Sequence, residues 1–402
     1  MKKKSILLLL LVLFLVGCSK SEEKKTPPSV SDKNKDEIDL RIDEMMSNMT
    51  TDEKIAQMMI VYYRNPYMDN TLKSTLESVK PGGFILFNEN ITTYENTLKL
   101  IKEIKSSSNI PMFIAIDEEG GNVQRLLALT DKDVTDIPYM QEVGKKDDEK
   151  LTYDVGKVIA EELRVFGINM DFAPVIDVFS NPNNTVIGKR SFGSSPQFVS
   201  RHGLTLAKAL EDNNVIAVYK HFPGHGNTEV DSHKDLPIVS KTKDELMKSD
   251  LVPFIDAIEN NASVIMIGHL AVPEITKNNV PASLSKTLIT DFLKGELNYK
   301  GLVVTDALDM KALTNYYSDE EICGKAVEAG VDILLMPSSS RKCLKSVKDA
   351  LNDGKITEER IDESVRKILR LKLEKIEKNY NDYLDPSYLN SKEHQEIINK
   401  IK

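Results

Sequence analysis

The stretch VIAVYKHFPGHG, residues 215–226, sets a short unbroken apolar run against Lys220 and His221 and then a loop rich in proline and glycine. An apolar run without polar alternation reads as a strand buried on both faces, as in a parallel sheet. The pattern recurs along the chain. Similar runs lie at Ile55–Tyr62, Gly83–Phe87, Met112–Ile116, Asn169–Ile176, Ser263–Ile267, Leu302–Thr305 and Asp332–Met336, which with Val215–Tyr219 makes eight.

Between these runs, apolar residues recur at helical spacing over Tyr94–Lys105, Leu151–Phe166, Phe198–Asp212 and Leu246–Asn260. Thr50-Thr51-Asp52-Glu53 has the form of a capping box ahead of the first run. Eight strands alternating with helices predict an α/β fold, a single (β/α)8 TIM-type barrel. A doubly wound open sheet is the alternative, but no GxGxxG motif follows the early strands. The segment from Ile356, ITEERIDESVRKILRLKLEK, is expected to complete the outer helical ring, leaving residues 386–402 as a polar tail.

The N-terminal MKKKSILLLLLVLFLVGC places three lysines before an apolar run, then a small residue and a cysteine, the layout of a secretory signal. The run is shorter than the roughly 20 residues a membrane span requires. Leu15-Val16-Gly17-Cys18 resembles a bacterial lipobox, which implies lipidation at Cys18, a membrane anchor and an extracytoplasmic location. Residues 19–36 are polar and proline-bearing, as in a flexible tether. The catalytic body is therefore expected at 37–385. Only Cys323 and Cys343 remain in it, too few for a disulfide scaffold, and the sequence alone does not pair them.

Lysines and arginines number 53 against 62 acids, a formal charge of −9. Removing the three signal lysines makes the mature chain 50 − 62 = −12. A nucleic-acid partner would call for the opposite sign.

In a barrel of this kind the site forms at the C-terminal ends of the strands. Asp117 and Glu118 follow MFIAI, Asp177 follows FAPVI, Lys220 and His221 follow VIAVY, His269 follows SVIMIG, and Asp306 follows LVVT. One charge at a strand end is ordinarily a solvated loop residue or a helix cap. Several that converge point to a site, because buried charge is costly unless paired or used. Beyond Pro223, Gly224 and Gly226, Asp231 and His233 stand two apart, so in an extended loop they face the same way. The carboxylate then fixes the histidine tautomer and leaves the other ring nitrogen for proton transfer. Zinc on His221, His225 and His233 is the competing reading. It is disfavoured because Phe222-Pro223-Gly224 breaks the helical spacing that would face two ligands together.

These residues resemble the glycoside hydrolase family 3 enzymes, and within them the β-N-acetylglucosaminidases. The resemblance runs through Met49–Lys54, IDEEGGNVQR (116–125), GINMDFAPVIDV (167–178), GKRSFG (188–193), KHFPGHGNTEVDSH (220–233), PASLS (281–285) and GLVVTDALDM (301–310). It implies Asp306 as nucleophile, His233 as general acid and base, and Asp231 as its orienting partner. It also implies that Asp117, Arg125, Arg190, Lys220 and His221 bind the terminal sugar, with no metal and no cofactor. His225 has no role by resemblance and reads as a loop-shaping residue; Asp177, Met266, His269 and Met310 read equally as pocket lining or packing. The implied substrate is the non-reducing N-acetylglucosamine of a cell-wall glycan or muropeptide. Because histidine replaces the second carboxylate of a retaining glycosidase, phosphorolysis stands beside hydrolysis. A lipid-anchored sugar-binding protein and a metal-dependent amidohydrolase are the alternatives from other classes. With no tryptophan to stack on longer glycans, a short polar pocket for one sugar is expected.

Overall fold

The computed structural model describes residues 30–402, with side chains from residue 37 onward. The signal, the lipobox with Cys18, and tether residues 19–29 lie outside the described residues.

Eight short parallel strands form the barrel: β1 (Met59–Val61), β2 (Gly83–Ile85), β3 (Phe113–Ile116), β6 (Met170–Asp171), β7 (Ile216–Phe222), β8 (Val264–Ile267), β9 (Leu302–Thr305) and β10 (Leu334–Leu335). The remaining pair, β4 (Glu118–Gly120) and β5 (Val123–Gln124), makes an antiparallel hairpin just past β3. The ladder order is β10-β1-β2-β3-β6-β7-β8-β9, and a parallel bridge between Val304 and Ile333 brings the last strand against the first. Every residue of the eight barrel strands is buried, the apolar ones as a sheet covered on both faces requires and Asp171, Lys220 and His221 among them as well. The (β/α)8 reading therefore holds.

Local differences have physical causes. The first apolar run is divided between a helix, Thr51–Gln57, and β1, because the helix also buries Ile55 and Ala56. Its capping box is present: Thr50 accepts from the Glu53 N–H, and the Glu53 carboxylate accepts from the Thr50 N–H. The run from Asn169 pairs as a strand only over Met170–Asp171; Pro174, lacking an N–H, interrupts the ladder before the Val175–Lys220 bridge. The expected helix 246–260 is two, Lys243–Lys248 and Val252–Glu259, the second with Pro253 in its first turn.

Both ends differ from expectation. Backbone residues 30–36, assigned to the tether, belong to the helix Val30–Ser47. Residues 386–402, expected as a polar tail, carry the helix Lys392–Ile398, and Ile397, Ile398 and Ile401 are buried. Those three isoleucines supply an apolar face, and buried His394 sits between Glu162 (Nδ1 to Oε1, 3.1 Å) and Glu161 (Nε2 to Oε2, 3.0 Å) on the helix Glu149–Val165. Buried Cys323 and Cys343 form a disulfide with Cα atoms 5.3 Å apart, tying helix Asp319–Ala329 to helix Ser340–Asn352.

Candidate active site

A cavity of about 240 Å³ opens at the C-terminal ends of the strands, lined among others by Asp117, Arg125, Arg190, Lys220, His221, His233 and Asp306. Seven of the eight residues singled out for catalysis and sugar binding thus converge; Asp231, the eighth, reaches the site through His233. Among the described residues, no group of three or more His, Cys, Asp or Glu is arranged to hold a metal ion.

One wall is an ion-pair network. Lys220, at the end of β7, places Nζ 2.7 Å from Asp117 Oδ1 and 2.5 Å from Glu119 Oε1. Glu119 also takes Arg190 in a fork, Nε to Oε2 at 2.7 Å and Nη2 to Oε1 at 2.8 Å. Burial opposes ionisation of Glu119, but Arg190 and Lys220 outweigh it and hold the carboxyl well below its usual range. Glu119 was missed by sequence reasoning. Its signal was there, since it stands two residues from Asp117 in an extended segment and so faces the same side. Beside it, Glu118 turns away from the cavity and accepts from the backbone N–H of Arg125 (2.7 Å) and Leu126 (3.2 Å), fixing the turn that presents Arg125.

Behind His221 stands Asp177, fully buried. Its Oδ2 accepts from His221 Nδ1 at 2.7 Å and its Oδ1 from the His225 N–H at 2.6 Å. A carboxylate only accepts, so Nδ1 of His221 carries the proton and Nε2 is left for a ligand. Asp177 therefore orients a site histidine rather than lining the pocket. His269 is a packing residue: Nε2 donates to Ala307 O at 2.9 Å and Nδ1 accepts from Ser283 Oγ at 2.7 Å. That contact steadies the turn after β9, where Asp306 sits with Oδ1 accepting from the Ala307 N–H at 2.8 Å. Burial raises the Asp306 pKa, but the nearby imidazoles, His221 foremost, and the Ala307 N–H bring it below the ordinary aspartate value, so the carboxylate is ionised.

The loop after β7 arches over this floor. Gly226 is required there, since a Cβ would lie 2.0 Å from Val178 O. Asp231 Oδ1 accepts from both the His233 N–H (3.0 Å) and Nδ1 (2.9 Å), so the His233 proton sits on Nδ1 and Nε2 is free. His233 is 67% exposed, as a group that exchanges protons with ligand and water must be reachable.

The family profile described as "Glycosyl hydrolase family 3 N terminal domain" matches residues 50–371. The chain belongs to glycosyl hydrolase family 3. Among family 3 relatives, beta-hexosaminidase A of Pseudoalteromonas piscicida is 36% identical over 316 residues, 72% of this chain but 53% of that protein, so the match spans about half of that relative. Beta-hexosaminidase LpqI of Mycobacterium tuberculosis is 31% identical over 80% of this chain and 82% of its own. In structure, a family 3 β-N-acetylglucosaminidase from Paenibacillus sp. aligns with a TM-score of 0.80 at 34% identity, covering 88% of this chain and 68% of the other.

Proposed function

We propose that this family 3 protein is a retaining exo-β-N-acetylglucosaminidase. The observation that carries the reading is the convergence on one cavity of an ionised, half-buried carboxylate, Asp306, and an exposed histidine oriented by a carboxylate, His233 with Asp231. In this reading Asp306 attacks the anomeric carbon and forms a glycosyl-enzyme, while His233, entering the step with a proton on each ring nitrogen, gives the Nε2 proton to the departing oxygen and is left neutral with Nδ1–H held by Asp231. Neutral His233 then takes a proton from the incoming water, and the sugar leaves with its anomeric configuration retained. Asp117, Arg125, Arg190, Lys220 and His221 hold the terminal sugar. The names of the relatives, beta-hexosaminidase and β-N-acetylglucosaminidase, support N-acetylglucosamine as that sugar.

An anionic acceptor also fits. Neutral His233 repels phosphate less than a second carboxylate would, and a structure described as the beta-glucoside phosphorylase BglX aligns at 25% identity with a TM-score of 0.83. Residues 37–385 form the catalytic domain in this reading, and Cys18 the lipid anchor that holds it outside the cytoplasmic membrane. The Cys323–Cys343 disulfide suits an oxidising compartment, where N-acetylglucosamine-bearing cell-wall fragments are to be found.

The test is trapping with a slow 2-acetamido-5-fluoro-β-glucosaminide followed by peptide mass spectrometry. An adduct on Asp306, absent from Asp306→Ala, is the expected outcome; protein that binds N-acetylglucosamine yet gives no adduct and no turnover would be a sugar-binding barrel instead.

A further inference from the structure

Within the exposed stretch Glu229–Asp235, Ser232 is the one buried residue, 2% exposed. Residues 232–234 form a turn, closed by the Lys234 and Asp235 N–H groups on the Asp231 carbonyl at 2.8 and 3.0 Å, and within it the Ser232 side chain is turned inward beside the exposed His233. There its Oγ lies 3.1 Å from His225 Nε2. The direction of that hydrogen bond follows from the other contacts. The Thr228 hydroxyl gives its proton to the His225 carbonyl at 3.0 Å, so at 2.6 Å it accepts from His225 Nδ1. Nε2 is then the unprotonated nitrogen, and the Ser232 hydroxyl donates to it.

His225 is itself immobilised by the site. Its N–H donates to Asp177, the residue that orients His221, and its carbonyl accepts from Asn184 Nδ2 at 2.7 Å. Asn184 Oδ1 in turn takes the N–H groups of Val186 and Ile187, at the start of the segment that delivers Arg190. His225 thus joins the loop behind His221 and the segment of Arg190 through its backbone, and the loop of His233 through its neutral imidazole. On its other side Ser232 is clasped by a backbone bond from the Ala312 N–H to its carbonyl, 3.2 Å, from the helix that follows the Asp306 turn.

We propose that Ser232, latched to His225, is the positioning residue that sets the Asp231–His233 pair against Asp306 and the bound sugar. The inference rests on the proposed function of His233. Ser232 lines the same cavity as His225 and His233, and in this reading it transfers no proton itself; it acts by holding the residues on both sides of it. Its loss leaves the sugar-binding wall in place and lets the acid wander.

The experiment compares wild type, Ser232→Ala and Ser232→Thr with two β-N-acetylglucosaminides, one with a poor leaving group, 4-methylumbelliferone, and one with a good one, 2,4-dinitrophenol. Specificity constants report the glycosylation step, in which only the poor leaving group needs the acid. Ser232→Ala is expected to lose at least about tenfold in kcat/KM on the poor leaving group, part of the roughly 10²–10⁴-fold a positioned acid supplies. The loss on the good leaving group should be much smaller, binding of N-acetylglucosamine should be unchanged, and Ser232→Thr should recover most of the activity. Equal losses on both substrates, or none, overturn the proposal. Deuterium exchange keeps this separate from the activity itself: Ser232→Ala must speed exchange in residues 227–237 and not in the barrel strands, whichever glycoside is cleaved. Unchanged exchange there overturns the latch; a failure of wild type on both substrates would overturn the assigned reaction instead. Should Ser232→Ala fail to fold, His225→Gln is judged by the same kinetic and exchange criteria, with Ser232→Thr still expected to keep most of the activity.

Discussion

Glu119 holds Arg190 through two parallel hydrogen bonds, with the carboxylate almost wholly buried and the arginine side chain 14% exposed. The same carboxylate is one of the two that face Lys220. Breaking a buried pair by neutralising one partner costs about 3–5 kcal/mol, most of it the penalty of stranding the other charge. Glu119→Gln keeps the shape and removes the charge. It is expected to lower stability by that order and, because Arg190 and Lys220 lose their shared anchor, to raise KM about tenfold or more with a smaller effect on kcat. Thermal unfolding and steady-state kinetics on the same preparation check both halves.

Glu118 gives the opposite result. Burial raises its carboxyl to about 8, the Leu126 and Arg125 N–H groups only partly opposing, and Oε1 has no hydrogen-bond partner among the described residues. A carboxyl with a raised folded pKa contributes stability that is fully present below its unfolded value of 4.5 and is lost as pH rises through about 8. Glu118→Gln does not ionise. Its stability relative to wild type should therefore climb between pH 5 and pH 8, as measured by denaturant unfolding at the two ends of that window; a constant difference would refute the burial argument.

His394 titrates in the same sense for a different reason. Burial lowers its pKa, but hydrogen bonds and charge from Glu161 and Glu162 raise it to about 9. The clamp is at full strength below the unfolded value of 6.5 and is released as pH rises through about 9. His394→Gln should cost on the order of 2 kcal/mol near pH 6 and little near pH 10. Deuterium exchange of the segment 386–402 should rise in wild type across that alkaline range.

The disulfide is worth most through the unfolded chain. Cys323 and Cys343 lie 20 residues apart, and closing a loop of that size contributes about 3 kcal/mol. The Cys323→Ala/Cys343→Ala double variant should melt several degrees lower, with unchanged kcat and KM, since neither residue lines the cavity.

The barrel was legible because each strand lies in a buried apolar run, and several of those runs close on a polar residue of the site. Asp117, Lys220, His221 and Asp306 could be placed from that pattern alone. The long-range partners could not: Asp177 meets His225 across 48 residues and Glu119 meets Arg190 across 71, and nothing local encodes such contacts. Ile55 and Ala56 were misassigned because a helix and a strand buried in one core have the same apolar composition. The C-terminal helix was missed because its apolar contribution is only Ile397 and Ile398, with Ile401 just beyond it, among charged residues, and its anchor is a histidine.

The loop that carries His233 is also tied down by Tyr316, whose hydroxyl donates to Asp235 Oδ1 at 2.6 Å, and by Asn315 Nδ2, 3.3 Å from Lys234 O. The chain contains 13 tyrosines and no tryptophan. An indole introduced for Tyr316, which is 57% exposed, would thus be the sole red-edge emitter in the protein. Its emission would report on the surroundings of the loop that carries His233, readable on the unlabelled enzyme.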